Sequence, residues 1–378
     1  VLAPGRPQGE YIIFCRERDA EKETWHGRRA GLEGAVTTFK ADDAFPIEDV
    51  DDILPGLLEN RPKVYCGMGR YPEFDSQLIQ WFNDVKAKKR TGISAPGELV
   101  DISHILHELR LFKRADEIRT MKRAASVSAA AHCRAMRACK PGMTEYQIEA
   151  ELEYEFRQGG AHSPAYPSIV AGGANACILH YTENQDELRD GDLLLIDAGA
   201  EIDCYAADIT RTFPVNGRYS GEQRAVYEIV LEAQATAIAE VKSGHNWNQP
   251  HEAAVRCLTE GLTDIGLLQG SVDGSIENND YQRFYMHRTG HWLGMDVHDV
   301  GDYRIGDEWR LLEPGMVLTV EPGLYIPAAE DIDTRWHDIG IRIEDDVLVT
   351  RKGRDILTSD VPKDPAEVEA LMAEGISG

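Results

Sequence analysis

The sequence lacks any run of about 18 apolar residues, the length that a helix needs to cross a membrane. Its first ten residues, VLAPGRPQGE, also lack the charged and apolar regions of a signal peptide, and there is no initiator Met. We therefore expect no membrane span, and we expect the native first segment to be missing.

Positive charge is scarce. Lys and Arg number 40 against 65 Asp and Glu, which gives a formal net charge of −25. A field of that sign repels the phosphates of nucleic acids and of anionic lipids. Nucleic acid and membrane surfaces are therefore excluded as expected partners.

Cysteine is present but unpatterned: the count is seven, an odd number, and no C-x-x-C occurs. This spacing gives no support to a zinc ribbon, a thioredoxin motif or a disulfide framework. We predict free thiols in a reducing compartment, and hence a cytoplasmic protein.

The composition is that of an ordinary globular protein, with 42% hydrophobic and 28% charged residues in 378 positions. That length predicts more than one domain. In the first third, residues 11–15 (YIIFC) and 63–66 (KVYC) are predicted strands, and residues 75–89 form a predicted amphipathic helix. We predict an α/β domain here, without a dense set of His or acidic residues.

The rest of the chain follows a repeated order of two helices and then strands, which predicts two related halves. Capping boxes at Thr144–Gln147 and Ser220–Gln223 each begin a helix. The segments predicted in order are helices 116–139 and 144–158, strands 192–198 and 205–215, helices 220–241 and 250–265, and strands 316–321 and 339–350. Acidic residues lie on or beside the strands of both halves, which favours a site between them.

Asp197 and Asp208 lie on two successive predicted strands. If the strands form a hairpin that turns about Ile202 and Asp203, the two aspartates stand directly opposite each other, with Cα atoms about 4.5–5.5 Å apart. Facing like charges among apolar neighbours are destabilising, so a divalent cation is expected between them. The alternative is a turn pair that faces water.

Other polar residues are unremarkable one at a time. Glu344 with Arg342 fits a structural salt bridge, and Glu321 ends an apolar strand. The histidines at positions 180, 287, 291 and 298 could each be core residues, and HRTGH lacks the Glu of an H-E-x-x-H helix. Taken together, four carboxylates with histidine form an oxygen-rich ligand set that suits Mn, Fe(II), Co or Mg better than a structural zinc.

Five segments resemble the creatinase/aminopeptidase P group of metallopeptidases, and most closely its bacterial Xaa-Pro aminopeptidases. They are ILHYTEN (178–184), DLLLIDAGAEIDCYAADITRTFPVNG (192–217), GHWLGMDVHDVG (290–301), LEPGMVLTVEPGLY (312–325) and GIRIEDDVLV (340–349). HELRLFKRADEI (107–118) and EKETWHGRRAG (21–31) extend the resemblance weakly upstream. It implies an α+β fold: a smaller creatinase-like α/β N-terminal domain at 1–113, and a pita-bread catalytic domain with pseudo-twofold halves at 114–378. The N-terminal domain is expected to lack its first segment.

The same resemblance implies two divalent metal ions, Mn²⁺ first, with Co²⁺, Fe²⁺ or Zn²⁺ as alternatives. The implied metal ligands are Asp197, Asp208, His291, Glu321 and Glu344. The implied catalytic and substrate-binding residues are Glu321 as general base, His298, His180, His287, and Arg342 beside Asp197. Tyr166 and Tyr325 also match positions near the site.

The implied activity is hydrolysis of the first peptide bond where proline is second, through a hydroxide that bridges the metals. The implied assembly is a homodimer or homotetramer. Two alternatives stay open: a prolidase that cuts only Xaa-Pro dipeptides, and a metal-free binding protein with the same fold. The second is disfavoured because all five ligand residues are present.

Overall fold

The computed structural model describes residues 1–376 and divides the chain into two units, Val1–Leu106 and His107–Gly378. The first unit is α/β, as predicted, and its strands pair in parallel. Its elements are β1 (Ile12–Cys15), α1 (Ala20–His26), α2 (Gly31–Thr37), β2 (Asp43–Pro46), α3 (Val50–Leu58), β3 (Lys63–Cys66), α4 (Pro72–Ala87) and β4 (Glu98–Asp101). β1 pairs with β2, and β3 pairs with β4. The domain division at 113/114 stays a prediction.

The second unit begins with helices and then alternates them with strands, which confirms the predicted α+β architecture. Its helices are α5 (Ser103–Leu111, which begins in the first unit), α6 (Ala115–Ala138), α7 (Glu145–Gln158), α8 (Gly221–Glu240), α9 (Gln249–Asp264), α10 (Val272–Glu277) and α11 (Pro365–Ile376). At the start of α8 the predicted capping box is complete, because Ser220 and Gln223 exchange two hydrogen bonds. Among the described residues no helix is long and apolar enough to cross a membrane.

The strands of the second unit form small antiparallel sheets, one set in each half. The first-half strands are β5 (Ile169–Gly172), β6 (Leu193–Asp197), β7 (Glu201–Ile202), β8 (Tyr205–Ala206) and β9 (Thr210–Pro214). The second-half strands are β10 (Arg304–Ile305), β11 (Glu308–Trp309), β12 (Val317–Val320), β13 (Gly323–Ile326), β14 (Ile339–Arg342), β15 (Asp345–Thr350) and β16 (Gly353–Ile356). The sheets are ordered β5-β6-β9, β12-β15-β16, β13-β14, β7-β8 and β10-β11.

Two predicted strands are interrupted. The segment 205–215 forms β8 and β9, with residues 207–209 between them outside any strand. The segment 339–350 forms β14 and β15, which pair with different partners, β13 and β12. Each interruption carries one candidate ligand, Asp208 in the first and Glu344 in the second. A carboxylate at such an interruption is held by side chains and single backbone contacts rather than by a regular ladder.

Buried apolar residues fill the space between helices and sheets, and α6 and α7 pack against the first-half sheet. Met121, Ile148, Leu152 and Phe156 from these helices belong to one cluster with Ile196 of β6. These residues form the buried faces of both helices. The seven cysteines are free thiols, and Cys139 is the buried one.

Gly199 lies two residues after Asp197, the last residue of β6. It packs against a neighbouring segment of the same chain, which leaves no room for a side chain. A Cβ atom there would stand 1.8 Å from the carbonyl oxygen of Ala207. Because the obstacle is backbone, Gly199→Ala is expected to lower the free energy of unfolding by about 3 kcal/mol or more. The melting temperature should fall by roughly 5 °C or more.

Gly221 serves as the control for this substitution, because a Cβ at that position meets no atom within 4 Å. Gly221→Ala should leave the melting temperature unchanged or slightly raised, since alanine favours the helix. Equal melting temperatures for Gly199→Ala and the parent would contradict the close approach of the two chain segments.

Candidate metal centre

The hairpin that carries Asp197 and Asp208 turns one residue later than the sequence analysis placed it, so each residue pairs with a partner two positions further along. Asp197 of β6 pairs with Thr210 of β9, not with Asp208, and Ile202 pairs with Tyr205. The turn residues are therefore Asp203 and Cys204, both with positive φ, at 49° and 67°. The predicted turn through Ile202 was wrong because a β-branched residue resists positive φ.

Asp197 and Asp208 nevertheless share one site, because a shift of two residues keeps side chains on the same face of a strand. The hydroxyl of Tyr166 donates to Oδ1 of Asp197 at 2.7 Å and to Oδ1 of Asp208 at 2.5 Å. One phenol proton thus lies between two carboxylates. Arg342 donates from Nη2 to Oδ2 of Asp197 at 2.6 Å, while the backbone N–H of Asp208 donates to Asp346 at 3.1 Å.

Glu344 lies at the break between β14 and β15. Its backbone N–H donates to the carbonyl of Thr210 at 3.1 Å, and its Oε2 accepts from the Thr210 hydroxyl at 2.6 Å. Its own carbonyl accepts from Arg211 Nη1 at 2.6 Å, and the same guanidinium holds Asp345 at 2.7 Å. Arg211 and Thr210 therefore join strand β9 of the first half to the second-half segment that carries Glu344.

His291 and Glu321 enter from the second half. His291 Nε2 is 3.4 Å from Asp208 Oδ2 and 3.7 Å from Glu321 Oε1. Its other ring nitrogen, Nδ1, is 3.0 Å from the carbonyl of Trp292 and must donate, because a carbonyl only accepts. Nε2 therefore faces the carboxylates. Glu321 follows β12 directly, and its N–H donates to the carbonyl of Thr289 at 2.8 Å.

His287 is fixed on both sides of its ring. Nδ1 donates to the carbonyl of Arg288 at 2.8 Å, and Nε2 accepts from the Tyr325 hydroxyl at 2.9 Å. Tyr325 in turn accepts from Arg342 Nη1 at 2.9 Å. Burial lowers the pKa of His287 to about 3, so the ring is neutral. Because both nitrogens are engaged, the ring presents its carbon edge rather than a free N–H.

His298 lies at the edge of the site, with its ring 4.2 Å from that of His291. Burial and the charge of His291 lower its pKa. The next residue, Asp299, is buried and bonds to Lys113 at 3.2 Å and to Arg110. The segment HELRLFKRADEI thus supplies two cations that anchor the loop bearing His298.

These side chains line one cavity of about 1010 Å³. Its carboxylates are Asp197, Asp208, Glu321 and Glu344, and its histidines are His180, His287, His291 and His298. The remaining lining residues are Tyr166, Pro167, Ile169, Leu179, Thr182, Trp247, Arg288, Gly290, Val297, Tyr303, Arg304, Trp309 and Arg342. All nine residues predicted for the site therefore line a single pocket, although their individual roles stay predictions.

The carboxylates on the floor of this pocket outnumber the positively charged groups that contact them. Burial raises the pKa of Asp197, brings that of Glu321 to about 7 and holds that of Glu344 well above its usual value. Burial alone would lower the pKa of His291, but its hydrogen bond to Asp208 and the charge of Glu321 raise it to about 9. In return, His291 outweighs the burial of Asp208 and lowers the pKa of that carboxyl.

This arrangement fits a metal centre. One possible ligand atom each from Asp208, His291 and Glu344 lie within 4.8 Å of one another. Carboxylate oxygens and one imidazole nitrogen are the donors that Mn²⁺ and similar cations take. A cation here replaces the proton on His291 Nε2 and offsets the carboxylates. Asp197 and Glu321 contact the same cluster through Tyr166 and His291.

Sequence reasoning named Arg342 and Tyr166, which bond to candidate ligands, but it missed other residues that hold them. Asp346 is buried, its Oδ1 has no partner, and burial keeps its pKa well above the usual value. Arg211 gave no signal, because its role depends on the contact between the two halves. Thr210 was detectable, since it shares a strand face with Asp208.

The chain matches two protein-family models. Residues 119–351 match metallopeptidase family M24, and residues 1–65 match the aminopeptidase P N-terminal domain. Among curated relatives, an Xaa-Pro aminopeptidase of Haemophilus influenzae is 46% identical over 96% of this chain and 81% of its own. That of Escherichia coli is 45% identical over 96% and 82%.

Solved structures agree with the family matches. An aminopeptidase from Pseudomonas aeruginosa superposes with a TM-score of 0.97 at 59% identity, covering 100% of this chain and 86% of that one. A variant of Escherichia coli aminopeptidase P in complex with substrate superposes with a TM-score of 0.94 at 44% identity, covering 97% and 83%.

The charge excess gives a stability prediction for Glu344. In excess chelator at pH 8, Glu344→Gln should melt higher than the parent by about 3 °C or more, because it removes a buried charge and keeps an acceptor for Thr210. A carboxyl with a raised folded pKa carries its penalty only above the unfolded pKa, and the penalty grows as pH rises towards the folded value. The gain should therefore shrink as pH falls towards 5.

Asp208→Asn is the matched control, because the charge of Asp208 is stabilised by His291. In chelator this variant should melt below the parent. With saturating Mn²⁺ the parent should exceed both variants, since it gains more from binding. A Glu344→Gln protein that melts at or below the parent in chelator contradicts the charge-excess account.

Proposed function

The chain belongs to metallopeptidase family M24, and from that premise we propose that it is an Xaa-Pro aminopeptidase with two metal ions. The observation that carries the proposal is the convergence of Asp197, Asp208, His291, Glu321 and Glu344 in one buried pocket. The curated relatives named Xaa-Pro aminopeptidase, which match nearly the whole chain, support the substrate class.

The five carboxylate and imidazole side chains would hold the two cations, Mn²⁺ by the nature of the donors. Asp197, Asp208, His291, Glu321 and Glu344 would together provide the ligand atoms. When bound, the pair supplies Lewis-acid charge and a hydroxide nucleophile near neutral pH. Arg342 and Tyr166 would keep Asp197 and Asp208 in place through the hydrogen bonds described above.

Glu321 is the proposed general base. In the protein without metal, burial raises its pKa to about 7, and its carboxylate lies in the same pocket as the other candidate ligands, where it would accept and return a proton. It would take the proton of the attacking water and pass it to the proline nitrogen as the bond breaks. The carboxylates also attract the charged amino group of the substrate, which places the first residue beside them.

The remaining histidines would bind and orient the substrate. His298 is neutral near pH 7 and would donate an N–H to the carbonyl oxygen as negative charge develops there. His287 offers a fixed ring edge, which would pack against the proline ring beside His180. An imide nitrogen has no N–H, so a site that recognises its bond must do so by shape and by this carbonyl contact.

The proposed assembly is a homodimer or homotetramer, which follows from the resemblance. A strict dipeptidase is the competing activity, since a rat relative that is 35% identical is named Xaa-Pro dipeptidase. The cavity of about 1010 Å³ favours the aminopeptidase, because it exceeds the space that a dipeptide needs.

The substrate class is tested with matched peptides. With Mn²⁺ present, the protein should release alanine from Ala-Pro-Ala at least about 100-fold faster than from Ala-Ala-Ala. Chelation should abolish the activity and Mn²⁺ should restore it. Equal rates on the two peptides would overturn the proposal, and cleavage of Ala-Pro but not Ala-Pro-Ala would assign a dipeptidase.

The proton carrier is tested with Glu321→Gln, which keeps the size of the side chain and removes the base. We expect kcat to fall by about 10²–10⁴ with the fold retained by circular dichroism. Glu313→Gln, an exposed site on the same segment, should keep parental activity. Activity of Glu321→Gln within about tenfold of the parent would reject Glu321 in this role.

A further inference from the structure

The charges on the wall of the cavity change sign between its floor and its mouth. The four carboxylates lie on the buried or half-buried floor together with Arg342. Among the described lining residues, the exposed ones that carry a formal charge are Arg288 and Arg304. In a protein with a net charge of −25, a pocket mouth with two guanidinium groups is a local feature that the metal centre does not explain.

Both guanidinium groups are ordered around Trp309. Arg304 and Trp309 are direct partners in the β10–β11 hairpin, and the Arg304 guanidinium carbon is 4.0 Å from the centre of the indole ring. The Arg288 guanidinium carbon is 5.3 Å from the same ring. Arginine that stacks on an aromatic face leaves its N–H edge free for a planar anion.

Arg288 is held by a neutral acceptor. Its Nη2 donates to the Asn248 carbonyl oxygen, and the Asn248 amide donates to Glu252 at 2.6 Å. The carboxylate of Glu252 is thus linked to Arg288 through Asn248 rather than by a direct hydrogen bond. The amide orients the guanidinium but does not neutralise it. Burial lowers the pKa of Arg288, the charges of Tyr285, Tyr281 and Glu252 oppose that shift, and the charge of Arg304 adds to it.

The part of the substrate that follows the cleaved bond would lie at this mouth. In the proposed function the amino end of the peptide lies beside the carboxylates on the floor, so residues after the proline extend towards the solvent. The exposed lining residues that they would pass include Arg288 and Arg304. A carboxylate on that part of the peptide would meet the guanidinium of Arg288 or of Arg304, whose fork geometry matches its two oxygens.

We propose that Arg288, Arg304 and Trp309 form a carboxylate-binding subsite that selects peptides with a negative group after the proline. This rests on the proposed function and adds a substrate preference to it. The carboxylate has two possible sources: the side chain of Asp or Glu, or the free C-terminus of a short peptide.

Four substrates separate the two sources. Ala-Pro-Asp-amide is compared with Ala-Pro-Asn-amide for the side chain, and Ala-Pro-Ala with Ala-Pro-Ala-amide for the C-terminus. In each pair the parent should show a kcat/KM about fivefold higher for the charged member. Arg288→Gln and Arg304→Gln should each reduce that ratio towards one through KM while leaving the neutral member unchanged. Added salt should reduce the ratio in the parent.

Arg283→Gln is the control variant. Arg283 also lies over an aromatic ring and is paired with Asp331 at 2.6 Å, but it does not line the cavity. It should keep the parental ratio. A ratio near one for both pairs in the parent overturns the subsite. An equal loss on charged and neutral peptides in Arg288→Gln and Arg304→Gln also overturns it.

A binding measurement keeps the subsite testable if the protein does not cleave Xaa-Pro bonds. Calorimetry in chelator, where there is no turnover, should show tighter binding of Ala-Pro-Asp-amide than of Ala-Pro-Asn-amide to the parent. The difference should vanish in Arg288→Gln. Absence of Xaa-Pro cleavage rejects the proposed function, whereas equal binding of the two peptides rejects the subsite.

Discussion

The four carboxylates on the floor of the pocket face the Arg342 guanidinium and the His291 imidazole, and the rest of the structure depends on this excess of negative charge. Burial alone pushes the pKa of every carboxyl upwards, and only Asp208 escapes, through His291. Tyr166 cannot satisfy two carboxylates with one proton. Divalent cations resolve all three observations together, since they offset the charge, replace the proton on His291 and take oxygen ligands.

The scaffold keeps these groups in place by interrupting its own strands. Asp208 and Glu344 each lie where a strand breaks, so their backbones are free to bond across the two halves. Arg211 bridges the same gap by donating to the Glu344 carbonyl. Gly199 permits the close approach of the chain beside Asp197. The candidate ligands thus come from both halves, and neither half holds a complete set.

Periodicity and the capping boxes were sufficient for the order and approximate bounds of α6 to α9, and for the face on which Asp197, Asp208 and Thr210 lie, but they did not predict α10, α11 or β5. Sequence periodicity failed where contacts between residues distant in sequence determine the local structure. The hairpin register depended on the positive φ of Asp203 and Cys204, and no Gly or Asn marked that turn. The break before Asp345 follows from pairing with two different strands. The engagement of Nε2 of His287 requires Tyr325, which Arg342 orients, and both residues are distant in sequence.

The central claim is that the carboxylate cluster exists to hold two cations, and metal stoichiometry tests it most directly. The purified protein would be stripped with chelator, reconstituted with Mn²⁺, freed of unbound metal and analysed by inductively coupled plasma mass spectrometry. The account predicts two Mn²⁺ per chain in the parent and fewer than two in Asp208→Asn. The rise in melting temperature that Mn²⁺ produces should be smaller in the variant, in proportion to the metal that is lost. A fully active parent that retains one metal ion or none would contradict it.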